Sequence, residues 1–206
     1  MRNTTLNFIY SSFFILSSSF ASAQQDSGFT NKAEAQNLKV KGEKDGKWVE
    51  YFKLDNGFDI ETKNAHAPFY KLIVYKEGKP VGIGKEYYKS GKLRSIIPYK
   101  NGNINGVLKE YDEAGQLIKR DTVIDSFEKG LIITYNKNGS ISAEFPYTND
   151  RTNDGNIHYD QFCTHGVTNG VAKYYDENGK LRKEVAFANG ELVVTKNYDE
   201  NGKVVK

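Results

Sequence analysis

The chain has 206 residues, and its 29 basic residues nearly balance its 26 acidic ones, which gives a formal net charge of +3. A charge this close to balance, with both signs interleaved, does not provide the field that binding of nucleic acid or anionic lipid needs. A hydrophobic fraction of 38% argues against a membrane protein, and a single cysteine excludes a disulfide within the chain. The 19 glycines and 14 tyrosines favour a β-rich fold.

The first 23 residues predict a signal peptide. Arg2 precedes an apolar, serine-diluted run over residues 8–20, and Ala21-Ser22-Ala23 then presents small residues where a signal peptidase reads them. We therefore expect a mature chain that starts at Gln24 and an exported protein, periplasmic, on the outer surface or secreted. The run is too short for a stable transmembrane anchor, so we expect no integral membrane span after processing. Residues 24–41 are polar and predict a flexible lead-in.

The remaining chain, 42–206, repeats one pattern about six times. A glycine precedes a tyrosine by five residues in most copies, and a second glycine follows that tyrosine and precedes an aliphatic residue. The tyrosines of the six copies are Tyr51, Tyr87, Tyr111, Tyr135, Tyr175 and Tyr198. The regular spacing is interrupted by insertions near 58–80 and 148–167. Such a period indicates a repeat architecture in which each unit packs on the next.

Each unit predicts a β-hairpin, because the second glycine supplies a residue that can take positive φ between two strands. The predicted fold is all-β: an elongated antiparallel meander of repeated hairpins. Alternation places the residue four before the tyrosine on the tyrosine's face, which we expect to be the core: Ile83, Val107, Leu131, Val171 and Val194. The second strands carry further apolar pairs, whereas Asp121 departs from that pattern.

Two copies carry a family resemblance. The segments GVLKEYDEAGQL (106–117) and GVAKYYDENGKL (170–181), with the later step Phe187-Ala-Asn-Gly190, resemble the MORN repeat variant. In bacteria this repeat is typical of proteins in the YwqK-like antitoxin family. The resemblance implies a β-hairpin array that serves as a scaffold for protein contacts, and an antitoxin-like neutraliser of a partner protein.

Aromatic side chains predict a binding surface on the other face of the sheet. In tyrosine pairs one ring must point away from the core, which places Trp48, Phe52, Tyr88 and Tyr174 on the second face. Exposed aromatics anchor protein interfaces, and the same face could take a glycan. The alternative is that other parts of the chain cover this face. The strand lysines Lys85, Lys109, Lys173 and Lys196 indicate a solvated face or a stripe for an acidic partner.

Reactive side chains cluster only in the second insertion. His158, Asp160, Cys163 and His165 have ligand types that suit zinc, but their spacing matches no standard site. A Cys/His nucleophile pair for a hydrolase is a further alternative. We expect neither, and predict no metal, no cofactor and no catalytic residue.

The sequence thus predicts an exported, non-enzymatic repeat scaffold that binds a protein partner in the cell envelope. A glycan or cell-wall binding module is the alternative, and an antitoxin-like neutraliser is the second. Nucleic acid is not an expected partner.

Overall fold

The computed structural model describes residues 29, 31–56, 58–124, 127–148, 170–188 and 191–205. A 3-10 helix (Lys32–Glu34) precedes the strands. The strands are β1 (Leu38–Val40), β2 (Glu43–Asp55), β3 (Phe58–Thr62), β4 (Phe69–Lys76), β5 (Lys79–Tyr88), β6 (Leu93–Lys100), β7 (Asn103–Ile104), β8 (Gly106–Tyr111), β9 (Leu117–Ile124), β10 (Phe127–Tyr135), β11 (Ile141–Thr148), β12 (Gly170–Tyr175), β13 (Leu181–Ala188), β14 (Glu191–Tyr198) and β15 (Val204–Val205).

All 15 strands of the described residues form one antiparallel sheet, which follows the chain from Leu38 to Val205. The order is β1-β2-β4-β5-β6-β8-β9-β10-β11-β12-β13-β14-β15, with β3 paired to β2 and β7 paired to β6. Each strand therefore pairs mainly with its neighbours in sequence, as expected for consecutive hairpins. The predicted all-β meander of repeated hairpins is confirmed.

The repeat turns have one shared geometry, built around a glycine with positive φ. In the β8–β9 turn, the Gly115 amide donates to the Asp112 carbonyl and the Asp112 amide donates to the Gln116 carbonyl, both at 2.9 Å. Gly115 has φ +89°, a region that favours glycine over residues with a Cβ. The same pair of bonds closes the turns around Gly139, Gly179 and Gly202. The hairpin pattern read from the sequence is thus present in each of these turns.

The first insertion adds two strands, β3 and β4, near the start of the sheet. The 13-residue strand β2 pairs along one edge with β4, and its other edge is shared between β1 and β3. Tyr51 accordingly lies opposite Thr62 on one side and Tyr70 on the other. Residues 58–80 therefore extend the same sheet rather than forming a separate unit.

The sheet has two distinct faces, because directly opposed residues of neighbouring strands share a face. One face, which we call the buried face, contains the residue three before each repeat tyrosine and its partner on the next strand. These pairs are Gly84 with Ile97, Leu108 with Asp121, Ile132 with Phe145 and Ala172 with Val185. Most of these residues are buried. The repeat tyrosines lie on the opposite face, which we call the tyrosine face.

We expected the residue four before each repeat tyrosine to be a core residue, and the structure shows this clearly only at the start of the array. Ile83 is 7% exposed, whereas Leu131, Val171 and Val194 are 38%, 42% and 45% exposed. Beside Leu131 and Val171, the next residue along the strand, Ile132 or Ala172, points to the buried face and is buried there instead, whereas both neighbours of Val194 are exposed. The prediction of a core at these three later positions was therefore wrong.

A cover from the N-terminal segment explains why the tyrosine face is buried at its start. Phe29 is 1% exposed and packs with Tyr70 and Leu72, and Val49, Tyr51 and Tyr87 surround this cluster. The Lys32 Nζ lies 3.6 Å from the centre of the Tyr70 ring. Where it is described, the segment predicted as a flexible lead-in is thus packed against the sheet.

Candidate functional site

The four aromatic residues predicted as a binding surface all lie on the buried face. Trp48 is opposite Ile73, Phe52 is opposite Phe69, and Phe69 is opposite Tyr88. Tyr174 lies opposite Ala143, which is itself buried on that face. The four rings share one face, as expected, but that face holds most of the core rather than pointing away from it, and all four rings are half-buried rather than openly exposed.

Each of these four rings has a partner within the sheet. The Trp48 Nε1 donates to the Leu38 and Asp45 carbonyls, and the Tyr88 hydroxyl donates to the Tyr111 carbonyl at 2.8 Å.

The other two rings are packed by aromatic and lysine neighbours. The Lys71 Nζ lies 4.8 Å from the centre of the Phe52 ring, and Tyr174 packs edge-on against Phe145 with ring centres 5.5 Å apart. The four residues do not form a continuous open ladder of ring faces, and their role in binding stays a prediction.

A buried ionic cluster lies on the same face between β4, β5 and β6. It consists of Lys71, Glu86, Arg94 and Ser95, which we call the Glu86 cluster. The Glu86 carboxylate lies 3.0 Å from Lys71 Nζ and 3.1 Å from Arg94 Nη1, and it accepts a 2.6 Å hydrogen bond from the Ser95 hydroxyl. Arg94 also contacts Asp59 Oδ2 of β3 at 2.6 Å. The cluster thus ties the first insertion to the repeat array.

The charges of the Glu86 cluster stabilise one another. Burial by itself disfavours ionisation of Glu86, but the attraction of Lys71, the Ser95 hydroxyl and Arg94 outweigh it and hold the pKa of Glu86 below its ordinary value. Burial also disfavours the charged form of Lys71, but Glu86 raises the pKa of Lys71 above its ordinary value. Both residues are therefore charged at neutral pH. Their ion pair holds β4 and β5 in register, and Glu86 is not poised to act as a general base.

A second carboxylate, Glu50, extends this row of charge. Glu50 of β2 lies opposite Lys71 of β4. Its carboxylate accepts a 2.6 Å hydrogen bond from the Tyr75 hydroxyl and contacts Lys44 Nζ at 2.6 Å. Burial and the bond to Glu50 both raise the pKa of Tyr75, so its hydroxyl stays protonated. No sequence pattern marked Lys71 and Tyr75, which lie in the first insertion. Glu50 and Glu86 each directly precede a repeat tyrosine, and that shared position is the signal that could have found them.

Asp121, which departed from the apolar pattern, is 3% exposed on the buried face. Its carboxylate lies 3.8 Å from the Nζ of Lys119, two residues earlier on the same strand and the same face. The Lys119 Nζ also lies 3.4 Å from Glu110 on the neighbouring strand. A paired charge therefore replaces an apolar contact at this position of the third unit.

The tyrosine face beyond the N-terminal cover presents an aliphatic row across β10 to β14. Leu131 is opposite Pro146, Val171 is opposite Ala186, and Ala186 is also opposite Val194. We call Leu131, Pro146, Val171, Ala186 and Val194 the aliphatic row. Three of its five members are exposed. Contiguous exposed apolar residues on a folded surface are typical of interaction sites.

A row of alternating charges runs beside the aliphatic row. Across β11 to β14 its members are Glu144, Lys173, Glu184 and Lys196, each opposite the next. The Tyr175 hydroxyl donates to Glu144 at 2.9 Å and the Tyr198 hydroxyl donates to Glu184 at 2.6 Å. Burial and the bond to Glu144 raise the pKa of Tyr175 to about 12. These repeat tyrosines thus hold the glutamates in place beside the aliphatic row.

The reactive residues of the second insertion, His158, Asp160, Cys163 and His165, lie outside the described residues. Within the part of the chain that the structure describes, no three His, Cys, Asp or Glu side chains are grouped so that they could hold a metal ion. The described residues also contain no helix long and apolar enough to cross a membrane.

The repeat geometry agrees with a known family model. Three segments match the MORN repeat variant, at residues 80–101, 104–125 and 168–189. The matched segments contain the β5–β6, β8–β9 and β12–β13 hairpins. The resemblance to this repeat read from residues 106–117 and 170–181 is therefore confirmed. No curated protein matches the chain.

Proposed function

We propose that this chain is an exported, non-enzymatic repeat scaffold whose tyrosine face binds a protein partner in the cell envelope. The observation that carries the proposal is the aliphatic row, which crosses five neighbouring strands of the sheet and exposes three of its five side chains. An N-terminal cover buries the equivalent face at the start of the array, around Phe29 and Tyr70. The same face is therefore able to receive a second layer of protein, and from β10 to β14 it offers an apolar surface for one.

Export is supported by the signal peptide that the first 23 residues predict, and the absence of enzymatic activity is proposed from the repeat architecture. Repeat arrays of this kind offer extended surfaces on which contacts are made by side chains of successive units. The Glu86 cluster, the densest group of buried charges described above, is internally paired. It contributes stability to the scaffold rather than chemistry.

The partial burial of the aromatic rings favours protein binding over glycan binding. Sugar recognition by stacking needs open ring faces, and Trp48, Phe52, Tyr88 and Tyr174 are half-buried. The antitoxin-like role that the resemblance implied is a special case of the proposal in which the partner is a toxin. The identity of the captured partner decides whether that case applies.

The experiment is site-specific cross-linking of the full-length chain in cells that express it. A photoreactive amino acid at Val171 probes the tyrosine face, and the same amino acid at Lys183 probes the opposite face of the same hairpin. We expect a discrete cross-linked envelope protein from position 171 and none from 183. Val171→Asp and Val194→Asp should each reduce co-purification of that protein. Cross-linking of the same protein from both faces, or of none from either, would contradict the proposal.

A further inference from the structure

Two cations face each other directly on the tyrosine face between the cover and the aliphatic row. Lys109 of β8 lies opposite Arg120 of β9. Like charges at directly opposed positions of a sheet repel and destabilise the pair. Neither side chain has an ion-pair or hydrogen-bond partner among the described residues. This differs from Lys119, the neighbour of Arg120 on the buried face, which contacts both Glu110 and Asp121.

Among the described residues, no carboxylate lies next to this pair in its row across the sheet. Along the row of opposed residues, Lys109 is flanked by Ile96 and Arg120 is flanked by Ile133. The next acid in that row is Glu144, a further strand away and bonded to the Tyr175 hydroxyl. The described neighbours in this row therefore give Lys109 and Arg120 no counter-charge.

The two cations border an open pocket whose other walls are mostly aliphatic side chains. Besides Lys109 and Arg120, the pocket is lined by Ile96, Val107, Leu117 and Tyr135. Lys109 is half-buried at the pocket wall and Arg120 is exposed. A guanidinium fork next to an ammonium group suits a carboxylate, which can accept hydrogen bonds from both. The aliphatic side chains of the pocket suit the methylene groups of the acidic side chain that bears this carboxylate.

We propose that this pocket binds an acidic side chain of the protein partner, with Lys109 and Arg120 as the residues that pair with its carboxylate. The proposal rests on the proposed function, and it adds the chemistry of the partner segment: a carboxylate beside aliphatic side chains. A membrane surface fits less well, because Glu144 and Glu184 alternate with Lys173 and Lys196 farther along the same face, so this part of the face has no net charge to attract an anionic bilayer. A single inserted side chain avoids these acids.

The test uses the purified full-length chain and two labelled model peptides, Leu-Glu-Glu-Glu-Glu-Leu and its all-glutamine counterpart, in fluorescence anisotropy. We expect the glutamate peptide to bind about tenfold more tightly than the glutamine peptide at low salt, because a charge-assisted contact is replaced by a neutral one. Lys109→Gln and Arg120→Gln should each remove most of that difference. The matched control is Lys196→Gln, a tyrosine-face lysine opposite Glu184, which should leave the difference unchanged.

Several results would overturn the proposal. These are equal affinity for the two peptides, no binding of either peptide, or an equal loss in Lys196→Gln. Tighter binding to phosphatidylglycerol vesicles than to the glutamate peptide, lost in Arg120→Gln, would show a lipid-headgroup site instead. Cross-linking from Val171 is a separate readout. If the parent and the Lys109→Gln/Arg120→Gln variant cross-link the partner equally, this inference fails while the proposed function stands.

Discussion

The Nζ of Lys71 lies 3.0 Å from Glu86 Oε1, and the two residues face each other directly across β4 and β5. The contact joins the first insertion to the first regular hairpin of the repeat array. Both side chains are largely buried, with 13% and 11% of their surface exposed. Removing one charge of such a pair leaves the other without compensation in a poorly solvated site.

We therefore expect Glu86→Gln to lower the free energy of unfolding by about 3 kcal/mol. The matched control is Glu110→Gln, the same position of the next repeat, where the contact to Lys119 is 3.4 Å and the glutamate is 38% exposed. That control should cost less than about 1 kcal/mol. Urea unfolding of both variants measures the difference, and equal costs would contradict a special role for the Glu86 cluster.

The pH dependence of stability should report the same carboxylate. The folded-state pKa of Glu86 lies below its ordinary value of 4.5, so the folded chain binds this proton less readily than the unfolded chain does. Its contribution is complete above about pH 4.5 and is lost as the pH falls through the folded-state pKa. We expect the melting temperature of the parent to fall towards that of Glu86→Gln as the pH is lowered below 4.5. A constant difference between the two proteins would contradict this assignment.

The turn glycines give a test of the hairpin register. Gly115 has φ +89° and an added Cβ would meet no atom within 4 Å, so any cost of substitution comes from the backbone conformation. We expect Gly115→Val to destabilise the chain by at least about 1 kcal/mol, because a β-branched residue is disfavoured there. The control is Ala114→Val in the same turn, which should cost little. Equal melting temperatures for Gly115→Val and the parent would refute the turn geometry.

The N-terminal cover should contribute strongly to stability through Phe29. Replacing this side chain by alanine removes a fully buried ring from its contacts with Tyr70 and Leu72. We expect Phe29→Ala to cost about 3 kcal/mol, and Leu38→Ala, at a side chain that is 48% exposed, to cost under about 1 kcal/mol. Chemical denaturation of the two variants provides the comparison. A loss of under about 1 kcal/mol in Phe29→Ala would mean that the cover does not stabilise the packing on the tyrosine face.

Export can be checked directly at the N-terminus. We expect the protein isolated from the cell envelope to begin at Gln24, because Ala21-Ser22-Ala23 closes the apolar run. Changing Ala23 to a bulky residue such as Phe should cause the precursor to accumulate. N-terminal sequencing that finds Met1 in envelope material would contradict both the cleavage and the compartment.

The sequence by itself determined the repeat, the hairpin turns and the antiparallel order of the sheet. These depend on local chemistry: glycines such as Gly115 permit a positive φ, and short turns force consecutive strands to pair. Alternation also placed Trp48, Phe52, Tyr88 and Tyr174 on one face correctly. Each of these inferences needs only residues that are close together in the chain.

Only the tertiary structure decided which face is covered. Alternation separates two faces but does not say where a distant segment packs, so Phe29, more than 40 residues before Tyr70, could not be assigned to the core from a pattern. For the same reason Leu131 and Val171 remain exposed although they match the repeat position of Ile83. The pairing of Lys71 with Glu86 likewise depends on how the first insertion joins the sheet, because burial and charge compensation are properties of strands brought together, not of the residues along one strand.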